Sequence, residues 1–380
     1  MRKRLLWIGD WMLGKDGSPL TGYCGISDYY APKLHKEFNV IALGFAYQRN
    51  QHNYLFSLSH TPIQSLGVAL QSINSTYSID YLICSADITV QAQLLKVPRN
   101  KTKYIGIFAV ESSPVYAPWA MALASMDYKL PISQFGTDEC EKVGLEATHL
   151  VIPTDRNIWK PRTWEEKESI KDMLGVKDKT TLFINAAGNE RKNIATVLEA
   201  LKDIPNKEKY YLFMLTNADS QVSWDLRELV TRFDLNRNVT IFEKGLSQVE
   251  TRRLYAGADF FINISKAEGL CMPILEAMSV GTPVIATNAT AMKEHLGSGD
   301  NRRGIAIEPD FKLIDVFGNT DRFYVIAETF QKTLTYQANL LREWGRDCSH
   351  LNQITDKAQA YIDERNNKNS LEVLRNIINV

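Results

Sequence analysis

The stretch Ser265 to Thr287, SKAEGLCMPILEAMSVGTPVIAT, sets two carboxylates, a glycine-opened loop and a helix start directly behind a strand. Ala258 to Ile264 (ADFFINI) is apolar and β-prone enough for a buried strand, and the polar Ser265-Lys266-Ala267 ends it. In the loop that follows, Gly269 allows the backbone to approach a ligand closely. Pro273 has the fixed dihedral suited to the first position of a helix running to about Val280. The start of such a helix can bind an anion. Seven residues separate Glu268 from Glu276, so one carboxylate falls on the loop, the other in the first turns of the helix, and both can face one ligand. Carboxylates accept hydrogen bonds from hydroxyls; a sugar and a ribose bridged by a diphosphate at the helix start fit this arrangement. Read as isolated acids, the two are more simply a helix-dipole partner and a solvated loop acid.

Outward from this stretch, short apolar runs recur with helix-length amphipathic segments between them. One series is Arg4 to Gly9, Val40 to Phe45, Tyr81 to Cys84, Tyr104 to Val110, Lys129 to Ser133 and His149 to Ile152. A second is Thr181 to Asn185, Tyr210 to Leu215, Val239 to Phe242, Ala258 to Ile264, Pro283 to Thr287 and Ile305 to Glu308. Strands alternating with helices favour parallel sheets covered on both faces, and two such series imply two Rossmann-like α/β domains with a binding cleft between them. Pro153 to Arg162 (PTDRNIWKPR), with two prolines and no period, reads as the junction. The expected division is an N-terminal domain over 1–153, a linker over 154–162 and a C-terminal domain over 163–361. After Asp310 the sequence shows no convincing strand, only helical pattern from about Arg322 to Trp344 and from about Ser349 to Ile378.

A chain of 380 residues is too long for one ordinary core and suits two. Its 44 basic and 44 acidic residues cancel, which gives no argument for a nucleic-acid partner. The five cysteines are scattered with no C-x-x-C pair, so neither a zinc site nor a disulfide framework is indicated and a reducing, cytoplasmic setting is the simpler reading. The basic start Met1-Arg2-Lys3-Arg4 and its apolar continuation resemble a secretory leader, but Asp10 and Gly14-Lys15-Asp16 interrupt it too early. No window approaches a membrane span.

Three further segments are candidates for chemistry. Gly9 to Lys15 (GDWMLGK) opens like a phosphate-binding P-loop, but Asp16 stands where a Ser or Thr must meet magnesium, and Gly17-Ser18-Pro19 stops the required helix. Gly22-Tyr23-Cys24-Gly25 precedes an amphipathic helix expected from about Ile26 to Phe38; these glycines either admit a phosphate or make a plain turn. Gly188-Asn189-Glu190-Arg191-Lys192-Asn193 precedes the helical IATVLEAL, with Asn193 a candidate N-cap. Two cations at a helix N-terminus oppose its dipole, which costs stability unless an anion lies between them; a solvated basic turn is the other reading. None of the six histidines has metal-ligand spacing, and no D-x-D occurs to hold a divalent cation.

The run Glu268-Gly269-Leu270, Pro273, Glu276-Ala277-Met278, Gly281, Pro283-Val284 resembles the E-x7-E signature of retaining GT-B glycosyltransferases, the group 1, family 4 type that includes sucrose synthases, lipopolysaccharide transferases and bacterial mannosyltransferases. The resemblance implies that Glu268 holds the donor sugar's hydroxyls. Backbone amides of Gly269, Leu270, Cys271 and Met272 would hold sugar and phosphate, and Glu276 the ribose. Arg191 and Lys192 take the place of the family's Arg and Lys that neutralise the leaving nucleotide, although its Arg often stands where this chain has Ala187, and Asn189 beside them would contact the donor. Gly22 and Gly25 match its glycine-rich loop facing the diphosphate. Many relatives carry a histidine beside the reacting sugar where this chain has Glu111, which either takes that acceptor-side role or is a loop acid. The last residues, about 362–380, would form a helix crossing back to the N-terminal domain.

The implied activity is transfer of a hexose from a nucleotide-diphosphate sugar to an acceptor hydroxyl with retention and without metal. GDP-mannose is the first expected donor and a UDP-hexose the second; the acceptor is a glycan, a lipid-linked molecule or a small molecule. Peripheral membrane contact accords with a lipid-linked acceptor. A nucleotide-sugar epimerase and a non-catalytic nucleotide-sugar-binding protein are alternatives on the same scaffold. A dinucleotide oxidoreductase lacks its G-x-G-x-x-G motif.

Overall fold

The computed structural model describes residues 2–49, 52–99, 101–216, 223–243, 245–316 and 318–379. Met1 and Val380, the outer ends of the expected N-terminal domain and its returning helix, lie outside them. The chain forms two compact units, one of residues 1–152, 317–320 and 368–380, the other of residues 153–316 and 321–367.

The first unit is built from β1 (Arg4–Gly9), α1 (Gly22–His35), β2 (Asn39–Gly44), β3 (Ser57–His60), α2 (Leu66–Thr76), β4 (Tyr81–Ser85), α3 (Ile88–Leu94), β5 (Lys103–Phe108), α4 (Ala117–Ala124), β6 (Tyr128–Pro131) and α5 (Gln134–Lys142). Its sheet runs β3-β2-β1-β4-β5-β6, parallel throughout. The central strands RLLWIG and YLICS are buried along nearly their whole length, as a sheet covered by helices on both faces requires.

The second unit contains α6 (Trp164–Met173), β7 (Thr180–Asn185), α7 (Ile194–Lys202), β8 (Tyr210–Leu215), α8 (Leu226–Arg232), β9 (Val239–Phe242), α9 (Gln248–Gly257), β10 (Phe260–Asn263), α10 (Met272–Val280), β11 (Val284–Thr287), α11 (Thr290–Leu296) and β12 (Ile305–Ile307). There follow β13 (Phe311–Asp315), β14 (Thr320–Tyr324), α12 (Ala327–Trp344) and α13 (Ser349–Asn367). Its main sheet, β12-β11-β10-β7-β8-β9, is again parallel. Both sheets have the doubly wound order in which the first and fourth strands are neighbours, and in such sheets ligands bind beyond the carboxyl ends of that pair. In the second unit the pair is β7 and β10.

At the other end of β10, buried Asp259 accepts from Lys167 Nζ (2.7 Å), Lys171 Nζ (2.8 Å) and the Thr181 amide (2.8 Å). Burial alone would raise this carboxyl, but the two lysine charges outweigh it and hold the group far below the usual carboxylate range. The cluster bolts α6 and β7 to β10, and removing one partner of such a buried network costs about 3–5 kcal/mol.

The last helix, α14 (Ser370–Asn379), belongs to the first unit. There Tyr30 Oη donates to Ser370 Oγ (2.8 Å) and Lys3 Nζ to the Ile378 carbonyl (2.5 Å).

Several expectations are corrected. Thr148 and Leu150 donate to the Lys129 and Pro131 carbonyls, yet His149 to Ile152 is not a strand: a return bond from Pro131 is impossible because proline has no N–H. The edge strand β3 (SLSH) has too little apolar pattern to be read in advance. After Asp310 the chain does form strands. β13 and β14 pair through Phe311 stacked on Tyr324 (5.1 Å), Lys312 with Asp321 (2.7 Å) and Arg322 with Asp315 (3.0 Å), cross-strand contacts that no single-strand period reveals. The pattern from Ser349 to Ile378 is two helices, α13 and α14, rather than one. Finally, α1 starts at Gly22, because Thr21 Oγ1 caps the Cys24 amide (3.1 Å). Gly22 and Gly25 are therefore in its first turns and do not form a loop before it.

Candidate functional site

The loops after β7 and β10 are tied together by backbone: the Lys266 amide donates to the Arg191 carbonyl (2.8 Å). Glu190, Arg191 and Lys192 form one 3-10 turn after Asn189, whose carbonyl accepts the Lys192 amide (3.1 Å). This brings both cations onto Glu268. Lys192 Nζ lies 2.5 Å from Oε1, and Arg191 Nη1 lies 3.1 Å from Oε2 and 2.5 Å from the Ala267 carbonyl. The Glu268 amide donates to Thr290 Oγ1 (2.9 Å). Burial by itself would raise the Glu268 carboxyl, but the Lys192 and Arg191 charges, with hydrogen bonds from Lys192 and Ser265, hold it at about 2. The anion that balances two cations at a helix start is thus supplied by the chain itself.

Asn193 does not cap α7 with its side chain. It sits in the left-handed region (φ 56°), its Nδ2 donates to the Val325 carbonyl (3.2 Å) and its Oδ1 accepts from Thr196 Oγ1 (2.7 Å). Neighbouring Lys266 is buried, pairs with Glu190 and lies 4.3 Å from the centre of the Tyr324 ring.

Glu276 meets different surroundings. In the second turn of α10 its Oε2 accepts from Tyr255 Oη (2.8 Å), which in turn accepts from Asn185 Nδ2 (3.1 Å) at the end of β7. Among the described residues no cation contributes to its shift. Burial pushes its carboxyl up to about 7 against the opposing pull of the tyrosine bond.

Between the two acids the chain turns through Cys271, which adopts φ 66° immediately before α10; the left-handed residue of this loop is the cysteine. Pro273 occupies the second helical position, after Met272, one residue later than expected. Asn263 Nδ2 donates to Cys271 Sγ (2.9 Å), and the Leu270 carbonyl lies 2.6 Å from His295 Nε2. Burial and the Glu268 charge push the Cys271 thiol far up, so it is an inert neutral packing group.

Of the residues singled out from sequence, the structure joins Asn189, Arg191, Lys192, Glu268, Gly269, Leu270, Cys271, Met272 and Glu276 on two adjacent loops and one helix. Gly22, Gly25 and Glu111 lie in the other unit. A Cβ on Gly25 would meet no heavy atom within 4 Å. Glu111 follows β5 near Tyr23, whose hydroxyl accepts from the Ala109 amide (3.0 Å) and is pushed up by burial and by the Asp87 and Glu111 charges.

Tyr255, Asn185, Asn263, Thr290 and His295 were not read in advance. The two asparagines, ending otherwise apolar strands, were the only visible signal. Tyr255 and His295 sit in ordinary amphipathic helix pattern. Gly9 to Lys15 runs into a turn closed by Gly14 N donating to the Ser18 carbonyl (2.8 Å), and the next helix, α1, starts only at Gly22, as a failed P-loop motif should. Among the described residues no group of three or more His, Cys, Asp or Glu could hold a metal ion, and no helix is long and apolar enough to cross a membrane.

Two cations and one carboxylate leave one net positive charge beside a hydrogen-bonded, protonatable carboxyl, at the carboxyl ends of the neighbouring strands β7 and β10. That arrangement suits an anionic ligand carrying hydroxyls.

Residues 165–313 match the family model Glycosyl transferases group 1. Over 142 residues the chain is 34% identical to alpha-monoglucosyldiacylglycerol synthase of Streptococcus pneumoniae, covering 36% of this chain and 32% of that protein. Over 124 residues it is 32% identical to O-antigen chain mannosyltransferase B of Escherichia coli, covering 32% and 30%. The match thus spans about a third of these relatives' length. Among solved structures, Anabaena HepE in complex with UDP and glucose superposes with TM-score 0.70 at 14% identity over 100% of both chains. Sucrose-phosphate synthase from Thermosynechococcus elongatus gives 0.75 at 12% identity over 99% of this chain and 98% of that one. The segment that matches the Glycosyl transferases group 1 model contains Arg191, Lys192, Glu268 and Glu276, and the chain as a whole has the GT-B fold of these solved structures.

Proposed function

We propose that this protein is a glycosyltransferase that moves a hexose from a nucleotide-diphosphate sugar to an acceptor hydroxyl with retention of configuration and without a metal ion. The observation that carries the reading is the Arg191-Lys192-Glu268 cluster set against the cation-free Glu276. One end of the site can take a diphosphate and sugar hydroxyls, and the other a ribose. Arg191 and Lys192 stabilise the departing diphosphate electrostatically, the kind of preorganised charge that usually dominates catalysis. No carboxylate is assigned as a nucleophile, so attack occurs on the same face, with a donor phosphate oxygen taking the acceptor's proton.

GDP-mannose is the first donor to test, because several relatives are named as mannosyltransferases. A UDP-hexose is the second, because structural neighbours were solved with UDP or UDP-glucose. The acceptor is a glycan, a lipid-linked molecule or a small molecule, reached from the cytoplasm with or without peripheral membrane contact.

Melting temperature measured against GDP, UDP, ADP, their sugar conjugates and NAD, for wild type and Glu276→Ala, tests the donor class, since a ligand that binds only the folded state raises it. One nucleotide diphosphate should stabilise the wild type and fail on the variant. Stabilisation by NAD alone, or by nothing, would refute the reading. Anomeric analysis of product made in the presence of EDTA then tests retention and metal independence.

A further inference from the structure

His295 on α11 is fully buried and sits between the loop that links the two glutamates and α13. Its Nε2 is 2.6 Å from the Leu270 carbonyl oxygen, and its Nδ1 is 3.0 Å from Tyr361 Oη. A carbonyl can only accept, so Nε2 carries the proton; in a neutral ring Nδ1 is then an acceptor, and the tyrosine hydroxyl must donate to it. Tyr361 Oη in turn accepts from Arg365 Nη1 (3.3 Å). Arg303 spans the far side: its guanidinium lies 4.1 Å from the Tyr361 ring centre, and its Nε and Nη2 donate to the His295 (2.9 Å) and Glu294 (2.5 Å) carbonyls. The donors form one directed chain from Arg365 through Tyr361 and His295 to Leu270.

The carbonyl held at the end of this chain shares a peptide plane with the Cys271 amide. A trans peptide is planar, with its C=O and N–H pointing in opposite directions. Anchoring the oxygen on the α11–α13 side therefore aims the Cys271 N–H away from that packing. The next residue is equally constrained: Cys271 is left-handed, its carbonyl accepts the Ile274 amide (3.0 Å) in the first turn of α10, and its Sγ is held by Asn263. A peptide plane free to rotate would cost affinity through the entropy of ordering it on the ligand.

Resting on the donor-site reading above, we propose that His295 is a positioning residue: as the Nε2–H tautomer fixed by Tyr361, it locks the Leu270–Cys271 peptide so that the Cys271 amide is preset to donate to the diphosphate of the bound nucleotide.

Calorimetric titration of UDP, GDP and ADP into wild type, His295→Phe, His295→Gln and Tyr361→Phe tests this. Gln can still place an N–H near the Nε2 position; Phe cannot. For whichever nucleotide binds the wild type, His295→Phe should weaken binding about tenfold or more, from the loss of one buried hydrogen bond and the freed plane. His295→Gln should recover to within about threefold of wild type, and Tyr361→Phe should weaken binding about threefold. A purely structural histidine would lower the melting temperature of His295→Phe and leave nucleotide affinity unchanged, which overturns the proposal, as does a Gln variant no better than Phe. If His295→Phe does not fold, Tyr361→Phe and the long-range 15N spectrum of the wild type decide, and a proton on Nδ1 instead of Nε2 overturns the assignment. A wild type that binds none of the three nucleotides sinks the donor-site reading and this proposal with it; one that binds while all variants match it sinks this proposal alone.

Discussion

Glu268 and Glu276 belong to one loop and helix, eight positions apart, yet their surroundings drive their carboxyls in opposite directions. Both are withdrawn from water, which alone raises a carboxyl. Glu268 meets Arg191 and Lys192 from the β7 loop and is held at about 2; Glu276, whose neighbour among the described residues is the Tyr255 hydroxyl, rises to about 7. Burial is therefore common to the pair, and the difference comes from which neighbouring loop each acid faces. One is an anion held between two cations, and the other is a buried carboxyl whose ionisation the proposed ribose contact would favour.

The most severe way to break this contrast is Glu268→Gln. It leaves two cations without their anion and removes the acceptor proposed for sugar hydroxyls. We expect kcat/KM to fall by about 10²–10³-fold. Stability at pH 7 should drop by about 2 kcal/mol, below the value for a fully buried pair because Lys192 and Arg191 keep some contact with water. Urea denaturation measures the second term, and an unchanged midpoint would show that the ion pairs are not formed in solution.

Glu276→Gln should act on stability with the opposite sign. At pH 8 the wild type holds an ionised carboxylate in a site that disfavours it, and the neutral amide removes that penalty, worth on the order of 2 kcal/mol. The melting temperature should rise at pH 8 while nucleotide affinity falls.

The pH dependence of the wild type sharpens the same contrast. A folded-state pKa raised to about 7 means that Glu276 contributes a loss of stability as pH rises from about 4.3, the ordinary glutamate value, and that the loss is complete above 7. A folded-state pKa held at about 2 means that the Glu268 contribution is present above about 4.3 and is lost as pH falls towards 2. Subtracting the Glu276→Gln melting curve from that of wild type should isolate the first slope between pH 4.3 and 7, and a flat difference would contradict the raised carboxyl. Nucleotide binding that ionises Glu276 should release a proton near pH 6.5, seen as a buffer-dependent calorimetric enthalpy.

The smallest expected effect is that of Tyr255→Phe, which removes one hydrogen bond to Glu276. It should weaken nucleotide binding by about threefold to tenfold at pH 8, where the carboxylate needs that donor, and less at pH 6. Equal effects at both pH values would mean that the tyrosine serves packing alone.

Much of this molecule was legible in its residues. The alternation of buried strands with amphipathic helices determined two doubly wound sheets, because a strand covered on both faces must be apolar throughout and a helix must bury one stripe. The spacing of Glu268, Pro273 and Glu276 determined an acid-bearing loop that runs into a helix, since these are local constraints on backbone and turn. Weakly patterned pieces were not legible: β3, the β13–β14 hairpin and the stretch at His149, which is not a strand, depend on what lies across the ladder. Nor could any local pattern say that Arg191 and Lys192 close on Glu268, that Tyr255 and Asn185 serve Glu276, or that His295 holds the loop between them. Those contacts join residues tens of positions apart. A carboxyl's charge state depends on desolvation and on the nearest opposite charge, both of which come into being only when separate segments pack. The sequence by itself determined that two acids would stand on this loop and helix, and only the tertiary structure decided which of them is an anion.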